Sequence, residues 1–351
     1  MQTNLMETDD ILLLSGNEIV DLFRGQETTL METVGNAYKI NEDGDSNGPN
    51  CAFLRFPGNS VDRIIPKVAF LGGSFQAAGI KWIASFPANL SKGFERASAT
   101  IILNSIETGL PLAVMEGSVI SAYRTAASAA LAATTLWGRR PATAVGIFGC
   151  GLINFETLRF LLVARPEIET IRLYDLSAER AAMFQNKCAQ IAGSRSIKIS
   201  GKGEELFASS DIIAIATTAV VPYLDSLGAA SNDSVVLHTS LRDFLPRAVQ
   251  MADNVVDDIE HACSNGASLD LTAREQGNRD FIRTTIGAIL KGDQPPRIEG
   301  KPVMFSPFGL GVLDIAVAHL TVSLARKAQK GRRIENFLPT PWTERVYQPL
   351  N

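Results

Sequence analysis

Residues 141–175, PATAVGIFGCGLINFETLRFLLVARPEIETIRLYD, decide the fold. An apolar run from Ala144 to Phe148 reaches Gly149-Cys150-Gly151, a helical pattern follows with Phe155, Leu158, Leu161 and Leu162, and a second apolar run ends at Asp175. Strand, tight glycine turn, helix and strand, in that order, make one βαβ unit of a parallel sheet.

The turn carries chemistry as well as shape. Gly149 supplies the tight turn, and Gly151 lets the backbone approach a pyrophosphate resting on the unpaired N–H groups of the helix N-terminus. Asp175, 26 residues beyond Gly149, stands at the end of the second strand, where a carboxylate accepts from both hydroxyls of an adenosine ribose. A 2'-phosphate would meet like charge there, so the pattern predicts NAD in preference to NADP, with Arg180 close enough in sequence to weaken the discrimination. The third glycine of the usual G-x-G-x-x-G is replaced by Asn154. That position serves helix-to-strand packing, so the expectation is a looser contact with the phosphate site kept.

Working outward, 351 residues favour two domains, and 46% hydrophobic with 20% charged residues is the balance of a globular chain. A formal charge of −4 without a basic run argues against a nucleic-acid surface. The first residues carry acids where a secretory leader needs basic ones, and no run of about 18 apolar residues occurs. The expectation is a cytoplasmic protein without a membrane span. Cys51, Cys150, Cys188 and Cys263 form no C-x-x-C pair, and His238, His261 and His319 form no metal-ligand spacing, so no metal site is expected.

Before the glycine turn, Ser15 and Glu18 cap a helix to about Phe23, and a second helical pattern runs from Glu27 to Asn41. A loop at 42–50 leads to strand-like runs at Ala52–Phe56, Arg63–Phe70, Gly79–Ser85, Ser98–Asn104 and Leu110–Glu116, a mostly antiparallel sheet. Residues 117–137 form an alanine-rich helix in which Arg124 either reaches solvent or has a fixed anionic partner. Beyond Asp175, helices at Ala178–Ala192 and Gly203–Ala208 alternate with strands near Ile197, at Ile212–Ala216, at Ser234–Leu237 and at Asn254–Asp257. Thr217, Thr218 and Ser240 follow the carboxyl ends of such strands, where the ligand of a doubly wound sheet lies; they are equally ordinary turn residues. The segment 305–329 makes a Pro-Phe-Gly-Leu-Gly turn and a helix with Leu313, Val317, Leu320 and Leu324 on one face, expected to dock back on the first sheet. Asp314 in its first turn suits the helix dipole.

GIKWI with Lys81, ERAS with Arg96, the helix containing Arg124-Thr125-Ala126-Ala127, the GCGLI turn and the closing GLGVLD together resemble the ornithine cyclodeaminase and mu-crystallin family over nearly the whole chain. The resemblance implies an α/β protein with a Rossmann NAD-binding domain (126–307) inserted in a split α+β substrate-binding and dimerisation domain (1–125 plus 308–351), working as a homodimer. It implies that Lys81 and an arginine of an earlier strand, matched here by Arg55, contact the substrate carboxylate. Arg96, Arg124 and Thr125 then face the cofactor near the mouth of the site, Leu152 and Ile153 lie on the pyrophosphate, and Pro307 and Phe308 lie beside the nicotinamide.

Within the family, DRII, GIKWI, ERAS, IILN, PLAVMEGSVIS and RTAA look most like the dehydrogenases that form 2,3-diaminopropionate. The G-D-x-P-G-K stretch of true cyclodeaminases corresponds to His238-Thr239-Ser240-Leu241-Arg242-Asp243-Phe244, which lacks the Pro-Gly-Lys, so cyclisation of ornithine is not expected. The implied reaction is NAD-dependent oxidation of N-(2-amino-2-carboxyethyl)-L-glutamate followed by hydrolysis. Arg55, Lys81, Arg96 and Arg124 anchor its carboxylates, Lys81 and Arg124 are the catalytic candidates, Phe308 borders the substrate, and His238 and Asp243 are candidate bases. An alanine or opine-type dehydrogenase, a ketimine reductase, a cyclodeaminase and a non-catalytic nucleotide-binding protein remain open alternatives.

Overall fold

A computed structural model describes residues 10–49, 52–138 and 140–347. The expectations for the extreme N-terminal residues and Cys51 lie outside the described residues. The chain begins with β1 (Ile11–Leu14), α1 (Gly16–Phe23), α2 (Glu27–Glu42), β2 (Ser46–Asn47), β3 (Leu54–Phe56), β4 (Asn59–Leu71), β5 (Ala77–Ser85), β6 (Ala97–Asn104), β7 (Pro111–Glu116) and α3 (Ser118–Trp137). It continues with β8 (Ala144–Phe148), α4 (Leu152–Ala164), β9 (Thr170–Tyr174), α5 (Ala178–Cys188), β10 (Ser196–Ile199), α6 (Glu204–Ser209), β11 (Ile212–Ile215) and β12 (Val235–His238). Then come α7 (Pro246–Gln250), β13 (Asp253–Val256), α8 (Ile259–Ala262), α9 (Ser268–Gln276), β14 (Ile282–Thr285), α10 (Ile286–Lys291), β15 (Val303–Phe305), α11 (Gly311–Lys327) and β16 (Arg332–Ile334).

The first sheet runs β16-β1-β7-β6-β5-β4-β2, with β3 also on β4. Its long strands β4, β5 and β6 pair antiparallel, each with the next in the chain, whereas β1 lies parallel to β7. Register puts Lys67 opposite Lys81 and Arg63 opposite Ser85, so these four side chains share one face. The opposite face exposes Leu54, Val68 and Trp82. β1 and β16, each four residues or fewer, went unread in the sequence because runs that short carry no period.

The second sheet is wholly parallel in the order β10-β9-β8-β11-β12-β15-β13-β14. Every residue of β11, β12 and β13 is buried, as in strands covered on both sides. The sequence closed this sheet at β13. In the structure β15, VMF, inserts between β12 and β13, and β14 lies outside them. All these strands point the same way, so the segments following β8, β11, β12, β13 and β15 gather along one edge.

Two helices knit the sheets together. α3 packs on α2 and α4 and reaches β6 on one side and β12 on the other. α11 docks on β4, β5 and α2, as its sequence led one to expect. Its buried surface is wider than one stripe, since Val312, Leu313, Ile315, Ala316, Val317, Ala318 and Val322 are all buried. No helix among the described residues is long and apolar enough to cross a membrane.

Asn154 corrects the expectation of loose packing. It is fully buried, and its Nδ2 donates to the carbonyls of Phe148 (2.9 Å), Gly149 (2.8 Å) and Ala214 (3.3 Å). The amide fastens α4 to the ends of β8 and β11 by hydrogen bonds where glycine would do so by closeness. Replacing Asn154 by Ala strands buried acceptors, and urea unfolding is expected to show a loss of about 2 kcal/mol.

Candidate active site

The glycine turn is built by sterics. Gly149 has φ +92, and a Cβ there would lie 2.4 Å from the Ala216 carbonyl oxygen, so only glycine fits. Gly151 is the extended N-cap of α4, and a Cβ on it would meet nothing closer than the Arg180 guanidinium at 3.9 Å. The first helical bond runs from the Phe155 N–H to the Gly151 carbonyl, which leaves the N–H groups of Leu152, Ile153 and Asn154 without helical acceptors. This is an open backbone cradle of the kind that takes a phosphate. Asp175, just past β9, accepts from the N–H of Cys150 (2.8 Å) and of Ser177 (2.9 Å), which fixes the carboxylate beside the turn. Burial pushes the Cys150 thiol up to about 12, so it has no thiolate chemistry near neutrality.

The second feature is ionic. Asp314 in the first turn of α11 is fully buried between Lys81 Nζ at 2.7 Å and Arg124 Nε at 3.0 Å. This answers the question left by Arg124: its anionic partner comes from the far end of the chain. It also corrects the dipole account of Asp314, whose main task is to neutralise two buried cations. Burial alone raises its pKa, but Arg124 and Lys81 outweigh that and hold it below the usual carboxylate range. Lys81 is fully buried and also donates to Ser121 Oγ at 3.0 Å. Desolvation pulls its pKa down to about 7, against the raising effect of Asp314.

The turn after β15 completes this centre. Gly309 has φ +87, and a Cβ there would lie 2.7 Å from Arg124 Nη1, so the backbone presses directly on the guanidinium. Asp257 at the end of β13 receives the N–H groups of Phe308 (2.9 Å) and Gly309 (2.7 Å) and so holds the turn. Lys67 Nζ donates to the Gly309 carbonyl at 2.5 Å and lies 5.1 Å from the Phe308 ring centre. Pro307 is buried at the start of the turn, and Thr125 donates to the Ser121 carbonyl at 2.7 Å. Lys67, Ser121 and Asp257 were missed in the sequence. The signal for Lys67 was its period-two spacing from Arg63 on β4; Asp257 carried only its place at a strand end.

Thr217, Ser240, His238 and Asp243 form a separate network. Asp243 is fully buried and accepts from Thr217 Oγ1, from Ser240 Oγ at 2.5 Å and from Tyr223 at 3.3 Å, and meets His238 Nε2 at 3.1 Å. His238 Nδ1 meets Ser306 Oγ at 3.1 Å. Burial opposes ionisation of Asp243, but its bonds to His238, Ser240 and Thr217 hold its pKa below the ordinary value. The network ties the segments after β11, β12 and β15 to one another, and a depressed carboxylate sealed in this way is a poor proton acceptor. Thr218 lies beside it in the loop after β11. Arg55 and Arg96 stand at the far end of the Lys81 face, where Arg96 Nη1 donates to Ser85 Oγ at 2.9 Å. The described residues hold no cluster of His, Cys, Asp and Glu able to bind a metal ion.

Removing Asp314 leaves Lys81 and Arg124 buried as like charges. Asp314→Ala is expected to cost about 3–5 kcal/mol in denaturant titrations near pH 6. The loss should shrink as pH is raised, because Lys81 can shed its proton whereas Arg124 cannot.

Comparison with known proteins agrees with this architecture. A family model described as ornithine cyclodeaminase/mu-crystallin family matches residues 26–328. An N-((2S)-2-amino-2-carboxyethyl)-L-glutamate dehydrogenase of Staphylococcus aureus is 29% identical, over 80% of this chain and 84% of its own. An alanine dehydrogenase of Archaeoglobus fulgidus is 28% identical over 95% of this chain and 99% of its own. Among solved structures, the Thermococcus litoralis Delta(1)-pyrroline-2-carboxylate reductase in complex with NADH and L-proline superposes with a TM-score of 0.85 at 25% identity, covering 92% of this chain and all of that one (100%). With the family model matching all of the second sheet and most of the first, the chain belongs to the ornithine cyclodeaminase/mu-crystallin family.

Proposed function

We propose that the protein is an NAD-dependent dehydrogenase that oxidises the glutamate Cα–N bond of N-(2-amino-2-carboxyethyl)-L-glutamate, after which water releases 2-oxoglutarate and 2,3-diaminopropionate for siderophore or non-ribosomal peptide assembly. The observation that carries this reading is the buried Lys81–Asp314–Arg124 centre at the edge where the β13 and β15 ends converge. The Staphylococcus aureus relative supports the choice of substrate.

The cradle fits a dinucleotide on its own geometry: an open second glycine, free helix N–H groups and a fixed acid at the neighbouring strand end. Gly149, Gly151, Leu152, Ile153 and Asp175 hold the nucleotide, with Arg96, Arg124, Thr125 and Pro307 toward its reactive end. Thr217 and Ser240 act through Asp243, shaping the loops rather than donating to the ligand. NAD, when bound, accepts the hydride that leaves the substrate Cα.

The chain's own residues do the rest. Residues 1–125 and 308–351 supply the substrate side, and 126–307 the nucleotide side. Once Lys81 has taken up the amine proton, Lys81 and Arg124 carry two positive charges against the single negative charge of Asp314, so the centre then holds one charge for one carboxylate. Arg55 and Arg96 receive the others, and Phe308 borders the site. The secondary amine must lose its ammonium proton before the imine forms. In this reading Lys81 takes it, since a lysine with a pKa near 7 exchanges protons at working pH. Holding Cα in line with the nicotinamide supplies much of the acceleration.

The exposed Leu54, Val68 and Trp82 on the other face of the first sheet support a homodimer formed through that face. Trp82→Glu is expected to shift the mass measured by light scattering from dimer to monomer.

The decisive assay is absorbance at the NADH wavelength with NAD and N-(2-amino-2-carboxyethyl)-L-glutamate, beside ornithine, alanine and lysine. NADH formed with the adduct alone, with 2-oxoglutarate, is the expected outcome; turnover of a simple amino acid instead would transfer the chain to that substrate class. The neutral form of Lys81 is the active one, so kcat/KM should rise with pH up to about 7 and level off above it. Lys81→Arg should abolish that limb and lower the rate by about 10²–10⁴. Asp175→Ser should weaken NAD and narrow the gap to NADP.

A further inference from the structure

Two lysines stand side by side on the first sheet. Lys67 of β4 and Lys81 of β5 are direct antiparallel partners, so their side chains leave the same face with Cβ atoms about 5 Å apart. Like charges set opposite each other weaken a sheet, and strand pairing alone does not call for them. Each has its own acceptor, and the two acceptors bracket the start of α11. Lys81 Nζ meets the Asp314 carboxylate at 2.7 Å, and Lys67 Nζ donates to the Gly309 carbonyl at 2.5 Å.

These contacts return on themselves. They pass from Lys81 to Asp314, from Asp314 to Arg124 Nε at 3.0 Å, and from the Arg124 guanidinium to the Gly309 backbone packed against it. The Gly309 carbonyl leads back to Lys67, which faces Lys81 again, and the ring is closed. Phe308 rides on it, with the Lys67 ammonium 5.1 Å from its ring centre, while Asp257 accepts from the N–H groups of Phe308 and Gly309. The turn is thus held at its carbonyl by a cation and at its N–H groups by an acid.

Every element packed on Lys81 contributes to its charge state. α11 brings Asp314, α3 brings Arg124 and the Ser121 hydroxyl, β4 brings Lys67, and β6 sets only Ile101 opposite. Desolvation is the largest influence on the Lys81 pKa and lowers it; Asp314 raises it, and Arg124 and Lys67 lower it again. Asp257 and His261 stand against the Phe308 turn and feel the Lys67 charge in their turn.

We propose that Lys67 is a positioning residue of the reaction, which seats the Phe308–Gly309 turn on Arg124 and keeps a positive charge beside Lys81 so that Lys81 stays free to accept a proton. A buried lysine facing a carboxylate alone would hold its proton. A second cation beside it is a general way to keep such an amine neutral and reactive.

This inference rests on the proposed dehydrogenase reading, and one of its two readouts needs no turnover. Lys67→Gln removes the charge and keeps a donor for the Gly309 carbonyl, whereas Lys67→Arg keeps both; should Lys67→Gln fail to fold, Lys67→Met carries the same test. The first readout is kcat/KM against pH with NAD and N-(2-amino-2-carboxyethyl)-L-glutamate. The second is the Lys81 Cε resonance, followed by NMR across the same pH range in protein carrying labelled lysine and assigned by its loss in Lys81→Arg. Without the neighbouring charge Lys81 holds its proton to higher pH. Lys67→Gln is therefore expected to raise both midpoints from about 7 by about one unit, a roughly ten-fold loss of kcat/KM near pH 6 that fades in alkali. Lys67→Arg and His261→Gln should leave both midpoints in place. Unmoved midpoints in Lys67→Gln overturn the proposal, as does an equal shift in Lys67→Arg or a shift produced by His261→Gln. If the adduct is not turned over but the Lys81 resonance shifts in Lys67→Gln and not in Lys67→Arg, the role of Lys67 stands and the reaction assignment falls. Turnover with an unmoved resonance keeps the reaction and removes that role.

Discussion

A single buried carboxylate holds the arrangement together. Asp314 lies between Lys81 of β5 and Arg124 of α3, three elements brought from widely separated parts of the chain. Two cations in a dry interior are tolerable only with an anion between them, and an anion there is tolerable only with the cations. Because α11 also packs on β4 and β5, the ion triad fixes the helix that carries Asp314 against the strand that carries Lys81. The Gly309 backbone then closes on Arg124 from the side of the second sheet, so one electrostatic knot sets the spacing between the sheets.

How far the sequence revealed this depends on the range of the interaction. The βαβ unit from Ala144 to Asp175, the capped α1 and the antiparallel strands β4 to β7 were legible because turn chemistry and period are local properties. β14 and β15 were not legible, since strands of three or four residues show no periodicity and find their place only through neighbours. Asn154 shows a subtler limit. Its type suggested poorer packing, yet its amide reaches three carbonyls that only the folded sheet brings within range.

The candidate site divides in the same way. Arg124 and Asp175 could be singled out as charged residues in apolar or strand-end settings, where burial demands a reason, whereas Lys81 came only from the family resemblance of the GIKWI stretch. Asp314 carried an adequate local explanation at a helix start, which concealed its long-range one. Asp243 and His238 looked like proton-handling groups by type, but in three dimensions their polar atoms are turned on one another and on Ser240, Thr217 and Ser306. Residue type named the groups able to do chemistry; geometry decided which of them face outward.

The late strands have a consequence for the order in which the molecule is made. β15 lies between β12 and β13, and β16 completes the first sheet by pairing with β1, which leads the chain. Neither sheet is therefore finished until the C-terminal part has left the ribosome, and the cations on β5 and α3 must await an anion synthesised 190 residues after Arg124. Such a chain folds by late, long-range closure, a slow route on which open sheet edges stay exposed. Its maturation in the cell is governed by how those edges are shielded while synthesis finishes.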